Sequence, residues 1–227
     1  MLVENWINPK VITVDINDSM LDASKLLKEH GIRRLPVLKN GKLVGILTDR
    51  DLKRASPSDA TSLAAHELLY IIANIKVGEI MTKDPVTIPF NHTVEEAAEI
   101  LLEKKISGMP VVDKEGDVIG TITQTDIFKV LISVTGVGKG GMQFAFLLED
   151  RSGSIREVAD IIRKYGGRMT SILSSYERSP AGHRHAYIRA HGINREKLSE
   201  LKKELMAAAK LLYVIDHKRN TREIFVS

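Results

Sequence analysis

The feature that most constrains the fold of this chain is an internal repeat in its first half. Pro36 in the segment IRRLPVL and Pro110 in ISGMPVV lie 74 residues apart, and one inserted residue in the following turn raises the offset to 75. Self-similarity at a fixed period indicates two copies of one supersecondary unit. The aligned pairs are Val3 with Val77, Thr13 with Thr87, Asn17 with Asn91, Ala23 with Ala97, Ile32 with Ile106, Gly45 with Gly120, Thr48 with Thr123 and Asp51 with Asp126.

Each copy predicts the same order of elements, β-α-β-β-α. The first helix of each copy begins with a predicted capping box, Ser19 with Asp22 or Thr93 with Glu96. The closing helix is predicted to start at Asp51 or at Asp126. Residues 40–41 (Asn-Gly) and 114–116 (Lys-Glu-Gly) predict hairpin turns. The predicted strands are residues 11–14, 35–38 and 43–47 in the first copy and residues 86–88, 109–112 and 118–122 in the second.

Two short segments carry a family resemblance. GILTDRD and GTITQTD each follow a strand-turn-strand that begins LPV or MPV, and they resemble the signature of CBS domains. The resemblance covers roughly residues 1–134 and implies two repeats, 1–54 and 77–134, that pack as one module with two clefts. It also implies an adenine nucleotide as a regulatory ligand. TDRDLKRASPS, the long segment between the repeats and the trailing domain resemble the AcuB family, CBS-ACT proteins associated with acetoin utilisation.

The chemistry of the repeated motif suits a nucleotide. Thr48-Asp49-Arg50-Asp51 joins a predicted strand to a predicted helix, and the N–H groups of a helix start favour phosphate. The Thr48 hydroxyl can donate to a phosphate or sugar oxygen, and Asp51 can accept from both vicinal hydroxyls of a ribose. Thr123-Gln124-Thr125-Asp126 supplies an equivalent set. The alternative is that these residues are ordinary helix caps.

The resemblance further implies an adenine slot between the first strand of a copy and the segment that enters its second strand. Arg33, Arg34 and Arg50 lie near the first motif, so a polyphosphate would find more positive charge there. The alternatives for these arginines are a solvated surface and a reach across to the opposite cleft. The implied nucleotide-binding residues are Ile12, Thr13, Arg33, Arg34, Pro36, Thr48, Arg50, Asp51, Val86, Thr87, Ser107, Gly108, Met109, Pro110, Thr123 and Asp126.

Two connecting segments have distinct patterns. Residues 55–76 predict an apolar helix from residue 63 to about 75, capped by Thr61 or Ser62, that packs on the CBS module or on a second subunit. Residues 135–141 contain G-x-G-x-x-G, but this follows a predicted helix and precedes a predicted strand. A dinucleotide-binding fingerprint requires the opposite order, so a flexible linker is the prediction.

Residues 142–227 predict β-α-β-β-α-β, a ferredoxin-like split unit, and the fold class of the whole chain is therefore α+β. The predicted strands are residues 143–148, 169–175, 185–190 and 211–215, with an extra one at 223–226, and the second helix is predicted from about residue 194 to 207.

The first turn of this C-terminal region resembles the ACT domain, in which a glycine lets the backbone approach an amino-acid ligand. The alternative for Gly153 is simply a tight turn. The implied amino-acid-binding residues are Asp150, Ser152, Gly153, Ser154 and Ile155.

Composition restricts the classes of site and partner. The chain has no cysteine, which excludes disulfides and thiolate metal sites and favours a reducing, cytoplasmic location. His183, His185 and His191 lack a nearby carboxylate, so no metal site is predicted. The 33 basic and 29 acidic residues are interspersed, which argues against a nucleic-acid partner. No signal peptide or membrane span is predicted.

These observations predict a regulatory protein and not an enzyme. The sequence has no P-loop, no H-E-x-x-H and no G-x-S-x-G motif, and no catalytic cofactor is expected. The expected partners are a small-molecule nucleotide, a second copy of the chain in a homodimer or dimer of dimers, and a protein target that the sequence does not identify. The alternative is a scaffold that binds no ligand and serves protein association.

Overall fold

The computed structural model describes residues 1–56 and 65–225, and it divides into two compact units, Met1–Phe128 and Lys129–Ser227. The first unit contains both copies of the repeat, and the second contains the C-terminal pattern. Among the described residues, no helix combines the length and the apolar character that a bilayer span requires.

The β-α-β-β-α order is confirmed in both copies. β1 pairs parallel with β2 and β5 with β6, while β2–β3 and β6–β7 are antiparallel hairpins. The strands are β1 (Val14–Asp15), β2 (Arg34–Lys39), β3 (Lys42–Thr48), β4 (Thr82–Lys83), β5 (Ile88–Pro89), β6 (Gly108–Val112) and β7 (Val118–Thr123). The helices are α1 (Met20–Glu29), α2 (Asp49–Ala55), α3 (Ala65–Asn74), α4 (Val77–Ile80), α5 (Val94–Glu103) and α6 (Gln124–Thr135).

Local sequence signals explain most of these boundaries. Thr93 and Glu96 form the predicted reciprocal capping box at the start of α5. Ser19 accepts a hydrogen bond from the backbone of Asp22, but the Asp22 carboxylate accepts from the Ser19 hydroxyl, so this cap is only half of a capping box. Residues 40 and 41 both have positive φ, +51° and +78°, which is the geometry of the predicted Asn-Gly hairpin turn.

Some predicted boundaries are wrong. The first strands begin at Val14 and Ile88, later than predicted, because each makes only a two-residue parallel pairing. Residues 12–13 and 86–87 therefore precede the strands. The closing helices begin at Asp49 and Gln124 rather than at Asp51 and Asp126, because Thr48 is the helix cap and the aspartate takes the third helical position.

The region from α3 to the first strand of the second copy contains more structure than predicted. After α3, the short helix α4 and the strand β4 follow, and neither was expected from the sequence. Ile72 and Ile75 are partly buried against the core of the first copy, which agrees with packing on the repeat module. The predicted caps Thr61 and Ser62 and the predicted helix start at residue 63 lie outside the described residues.

The N-terminal segment of each copy pairs with the sheet of the other copy. This lent segment contains residue 8 in the first copy and residue 82 in the second. Thr82 of β4 pairs with Ile46 of β3, and Asn8 makes the equivalent bridge to Thr121 of β7. The backbone repeats this exchange: Met20 N–H donates to Ile75 O at 2.8 Å, and Val94 N–H donates to Met1 O at 2.8 Å. The two copies are thus interleaved, and a site beside β3 contains residues from both.

Glycine makes this interleaving possible. A Cβ atom on Gly45 would lie 2.4 Å from the Met81 sulfur, and one on Gly120 would lie 2.7 Å from Ile7 Cδ1. Because both distances are far inside van der Waals contact, only glycine lets the lent segment reach its sheet. The aligned glycines Gly45 and Gly120 therefore mark the places where the N-terminal segment of one copy crosses the sheet of the other.

The second unit has the predicted β-α-β-β-α-β order plus one strand, and its antiparallel sheet has the order β12-β11-β8-β10-β9. Both helices contribute to a core with the fully buried Phe144 and Phe146. The elements are β8 (Met142–Glu149), α7 (Ser154–Lys164), β9 (Arg168–Ser175), β10 (His183–His191), α8 (Leu198–Ala208), β11 (Lys210–Asp216) and β12 (Thr221–Ile224).

Two details of the second unit differ from prediction. α8 begins at Leu198 and not at about residue 194, because the Asn194 side chain accepts a hydrogen bond from the Glu196 N–H and holds a turn there. β12 begins at Thr221, two residues before the predicted extra strand, and residue 226 at its predicted end lies outside the described residues.

The glycine-rich segment connects α6 to β8. Gly136 and Gly140 have φ values of +65° and +67° and flank the 3-10 turn Val137–Lys139. Because the glycines follow a helix and precede a strand, they cannot place a helix N-terminus over a phosphate as a dinucleotide fingerprint does.

Candidate nucleotide-binding site

The first unit contains a cavity of about 560 Å³ beside the C-terminal end of β3. Both copies of the repeat contribute to it, as the exchange of segments requires. It is lined by Arg33, Arg34, Ile46, Thr48, Asp49, Arg50, Asp51, Arg54, Thr82, Asp84, Pro85, Val86, Lys105, Ile106, Ser107, Gly108 and Gln124.

Half of the predicted nucleotide-binding residues meet at this cavity. They are Arg33, Arg34, Thr48, Arg50, Asp51, Val86, Ser107 and Gly108. The grouping differs from the expected one, since Val86, Ser107 and Gly108 join the first motif instead of the second. The other predicted residues do not line it: Ile12, Thr13, Pro36, Thr87, Met109, Pro110, Thr123 and Asp126. Of these, Pro36, Met109 and Pro110 are buried within β2 and β6.

Thr48 and Asp51 form a closed hydrogen-bonded pair at the cavity wall. The Thr48 N–H donates to Asp51 Oδ2 at 2.9 Å, and the Thr48 hydroxyl donates to the same oxygen at 2.6 Å. The Asp51 N–H in turn donates to the Thr48 hydroxyl oxygen at 3.4 Å. The capping alternative is therefore satisfied, and Asp51 is only 5% exposed. Its carboxylate is fixed in orientation, which suits a preorganised acceptor as well as a cap.

Arg54 contacts the second oxygen of the same carboxylate. Its Nη2 donates to Asp51 Oδ1 at 2.5 Å across one turn of α2. The Arg54 side chain is 79% exposed, whereas that of Asp51 is buried. The pair thus joins an exposed cation to a buried anion in the cavity wall.

Arg34 reaches from the first copy into the second. Its Nη2 donates to the Ser107 hydroxyl at 2.7 Å, while its Nη1 is buried and has no hydrogen-bond partner among the described residues. Burial lowers the pKa of Arg34, although the charges of Asp49 and Asp126 act to raise it. An arginine remains protonated in proteins. The Nη1 group is therefore a buried cationic donor packed beside Gly108.

The lining carries more basic than acidic groups. The basic side chains are Arg33, Arg34, Arg50, Arg54 and Lys105, and the acidic ones are Asp49, Asp51 and Asp84. Since Asp51 is already bonded to Arg54, the remaining balance is positive. This balance favours an anionic ligand group, and arginine forks match the geometry of phosphate oxygens.

Sequence reasoning missed several of these residues. Arg54 follows Asp51 at the i,i+3 spacing that places two side chains on one helix face, and this signal was present in TDRDLKR. Thr82 and Asp84 belong to the lent segment around β4, and the 74-residue offset from Asn8 could have indicated them. Lys105 precedes the segment that enters β6, and no local pattern marks it.

The second motif has the same internal geometry. The Thr123 N–H and hydroxyl donate to Asp126 Oδ2 at 3.1 and 2.7 Å, and the Asp126 N–H donates back to the hydroxyl at 3.3 Å. Asp126 is more exposed than Asp51. The repeat therefore supplies two equivalent acceptor pairs in different surroundings.

The first turn of the second unit lies beside a smaller cavity of about 320 Å³. Of the five residues implied for an amino acid, Ser154 alone lines it, and Ser154 accepts a hydrogen bond from Arg184 at 3.2 Å. Asp150, Ser152 and Ile155 lie outside the lining. Gly153 has φ +87°, a left-handed conformation that a tight turn requires.

The three histidines considered for a metal each have a separate hydrogen-bond partner. His183 contacts the Ala181 carbonyl, His185 the Ser179 hydroxyl and His191 the Thr170 hydroxyl. Within residues 1–56 and 65–225, no three histidine, aspartate or glutamate side chains form a cluster suited to a metal ion.

Comparison with known proteins places the first unit in a family. A family model for the CBS domain matches residues 3–58 and 77–133. A CBS domain-containing protein of Dictyostelium discoideum is 36% identical over 135 residues, which is 59% of this chain and 93% of that protein. An inosine-5'-monophosphate dehydrogenase of Korarchaeum cryptofilum is 39% identical over 125 residues, but the matched region is 55% of this chain and only 23% of the dehydrogenase.

Solved structures agree with the sequence relatives. The CBS-pair protein CBSX2 from Arabidopsis thaliana is 29% identical, with a TM-score of 0.52 over 60% of this chain and 96% of that one. A structure of CBSX2 in complex with AMP is also 29% identical, with a TM-score of 0.50 over 59% and 98% of the two chains. The chain therefore belongs to the CBS-domain proteins, and its first unit is a tandem pair of CBS repeats.

Proposed function

We propose that this protein is a regulatory sensor that binds an adenine nucleotide in the cavity between its CBS repeats. The observation that carries the proposal is the meeting of Thr48 and Asp51 with a positively charged lining drawn from both repeats. The complex of the similar protein CBSX2 with AMP supports this class of ligand. The candidates are AMP, ADP, ATP and S-adenosylmethionine.

The lining suggests how the parts of a nucleotide divide among its residues. Ile46, Val86 and Ile106 are partly buried apolar residues suited to the faces of an adenine ring. The Asp51 carboxylate is suited to the ribose hydroxyls. Arg33 and Arg50 are exposed cations at the same cavity and are suited to phosphate.

The second unit is proposed to be a ferredoxin-like ACT-type domain that transmits the signal or senses an amino acid. The β-α-β-β-α-β order and the left-handed Gly153 in its first turn support this role. The protein is further proposed to be non-catalytic, cytoplasmic and homodimeric or a dimer of dimers, to act on a protein target, and to be linked to acetoin utilisation through its resemblance to the AcuB family.

The experiment that tests nucleotide binding is calorimetric titration of AMP, ADP, ATP and S-adenosylmethionine into wild-type protein, Asp51→Ala and Asp126→Ala. Loss of charge-assisted hydrogen bonds should weaken binding by about 10- to 100-fold, at the cavity for Asp51→Ala and at the second cleft that the CBS resemblance implies for Asp126→Ala. Loss of the cap should reduce stability by only about 1 kcal/mol, so both variants should remain folded. The double variant should lose nearly all binding.

Asp22→Ala is the matched control, because Asp22 is also a carboxylate at a helix start but lies away from the cavity. It should leave every affinity unchanged. A folded double variant with wild-type affinity would show that both aspartates are caps only. Flat titrations of the wild-type protein would favour the alternative of a scaffold for protein association.

A further inference from the structure

Arg54 and Asp51 form a pair whose partners a nucleotide would have to rearrange. Asp51 Oδ2 already accepts two hydrogen bonds from Thr48, and Oδ1 accepts one from Arg54 at 2.5 Å. A carboxylate has about four acceptor positions, and Asp51 is 5% exposed. Two vicinal ribose hydroxyls that bind this carboxylate must therefore take the position that Arg54 holds.

We propose that Arg54 exchanges partners when ligand binds, leaving Asp51 to the ribose and turning to the phosphate of the same nucleotide. This inference rests on the proposed nucleotide site. Arg54 is then a specificity-determining residue that favours phosphorylated adenosine compounds over adenosine and over S-adenosylmethionine. The latter has a cationic sulfonium in place of the phosphate.

The Arg54 side chain is able to make this exchange. It is 79% exposed, so water can solvate the guanidinium when it leaves Asp51. Asp51, in contrast, is fixed by Thr48 and cannot follow the guanidinium. Of the two partners, Arg54 is therefore the one that moves.

The released guanidinium remains at the cavity. Arg33, Arg50 and Lys105 line the same space, and a phosphate would bring negative charge into this excess of cations. Arginine binds phosphate oxygens through paired N–H donors, so Arg54 would replace one charge-assisted contact by another. Adenosine must displace Arg54 as well, but it offers no anion in return.

The test is calorimetric titration of adenosine, AMP and ATP into wild-type protein and Arg54→Ala. The variant should bind adenosine about two- to five-fold more tightly, because the competitor for Asp51 is gone. It should bind AMP and ATP about 10-fold more weakly, because a charge-assisted contact to phosphate is lost. Opposite directions for the two ligand classes are the signature of exchange.

Two matched variants separate this signature from simpler effects. Arg50→Ala removes a cavity cation and should weaken ATP without tightening adenosine. Arg163→Ala removes an exposed i,i+3 pair with Asp160 on α7 and should change no affinity. Equal changes for adenosine and AMP in Arg54→Ala would overturn the exchange while the nucleotide site stands. Absence of binding by every adenosine compound to wild-type protein would overturn both proposals.

Discussion

Arg34 and Gly108 occupy equivalent positions in the two repeats, yet one has the longest basic side chain and the other has none. A Cβ atom on Gly108 would lie 1.3 Å from Arg34 Nη1 and 2.8 Å from the Ile122 carbonyl oxygen. The guanidinium therefore fills the volume that a side chain on the second copy would need. While Arg34 holds this position, residue 108 has no room for a side chain, so the sequence difference between the repeats matches the packing.

Gly108→Ala should reduce the free energy of unfolding by about 1–3 kcal/mol, as overpacking usually does. Arg34→Ala in the same chain should relieve most of this loss, because the equivalent strand position in the first copy already carries a side chain. Denaturant unfolding of both single variants and the double variant gives the coupling, which should exceed about 0.5 kcal/mol.

Gly138→Ala is the control for the general effect of this substitution, since a Cβ on Gly138 would meet no described atom within 4 Å outside its own turn and chain neighbours. Its effect should stay within about 0.5 kcal/mol of zero. Additive effects of Gly108→Ala and Arg34→Ala would show that the Ile122 carbonyl, and not the guanidinium, excludes a side chain.

At the scale of single residues, the sequence predicted contacts between near neighbours in the chain well and contacts between the two repeats poorly. The reciprocal capping of Thr93 and Glu96 was predicted because three-residue spacing at a helix start enforces it. Val86 and Ser107 reach the cavity of Thr48 and Asp51 only because the N-terminal segment of one copy pairs with the sheet of the other. Pairing within one copy would satisfy the hydrophobic pattern of a repeat equally well, so periodicity does not predict the exchange.

Among the elements, the longer helices and hairpins were predicted because their signals are local. β4 was missed because two residues are too few for a periodic pattern, and its pairing with β3 is a contact between repeats. α8 was predicted too early because the polar residues 194–197 are compatible with the exposed face of a helix, whereas the Asn194 side chain holds a turn there. At the start of α8 a side chain thus competes with the backbone for hydrogen bonds, which the apolar pattern does not reveal.

The junction of β11 and β12 is held by a single carboxylate. Asp216 is 4% exposed and accepts hydrogen bonds from Arg195 and from the backbone N–H groups of Lys218 and Arg219. Burial alone would raise the pKa of Asp216, but these donors outweigh it and hold the pKa below its usual value. The carboxylate thus fixes both the turn and the segment before α8.

Asp216→Asn should reduce the free energy of unfolding of the second unit by about 1.5–3 kcal/mol at neutral pH, since a charged acceptor is lost. The folded pKa lies below the unfolded value, so this contribution is complete above the ordinary aspartate pKa of 3.8 and disappears as pH falls through the folded pKa. Urea unfolding of wild type and variant from neutral to acidic pH measures the difference.

Glu177→Gln, at an exposed position in the same unit, is the control and should leave stability unchanged throughout. A wild-type advantage that persists unchanged below the folded pKa would show that Asp216 acts through packing and not through its charge.

For the whole molecule, the two-part organisation could be predicted because the repeat ends and a new pattern begins within a few residues. The closing helix α6 ends at Thr135, which is the first residue of the predicted linker at 135–141.

α6 also presents the strongest indication of self-association. Phe128, Leu131 and Ile132 lie at i, i+3 and i+4 on one face of this helix, and they are 61%, 54% and 54% exposed. A contiguous apolar stripe of this kind usually marks an association surface.

We expect light scattering of the wild-type protein at micromolar concentration to give at least twice the chain mass of 25.2 kDa. The double variant Phe128→Glu/Leu131→Glu should return the monomer mass, because two charges would be buried without partners. Met206→Glu, at a 44% exposed apolar position on α8, should leave the mass unchanged. A wild-type mass equal to that of one chain would exclude the dimer, and an assembled double variant would place the interface elsewhere.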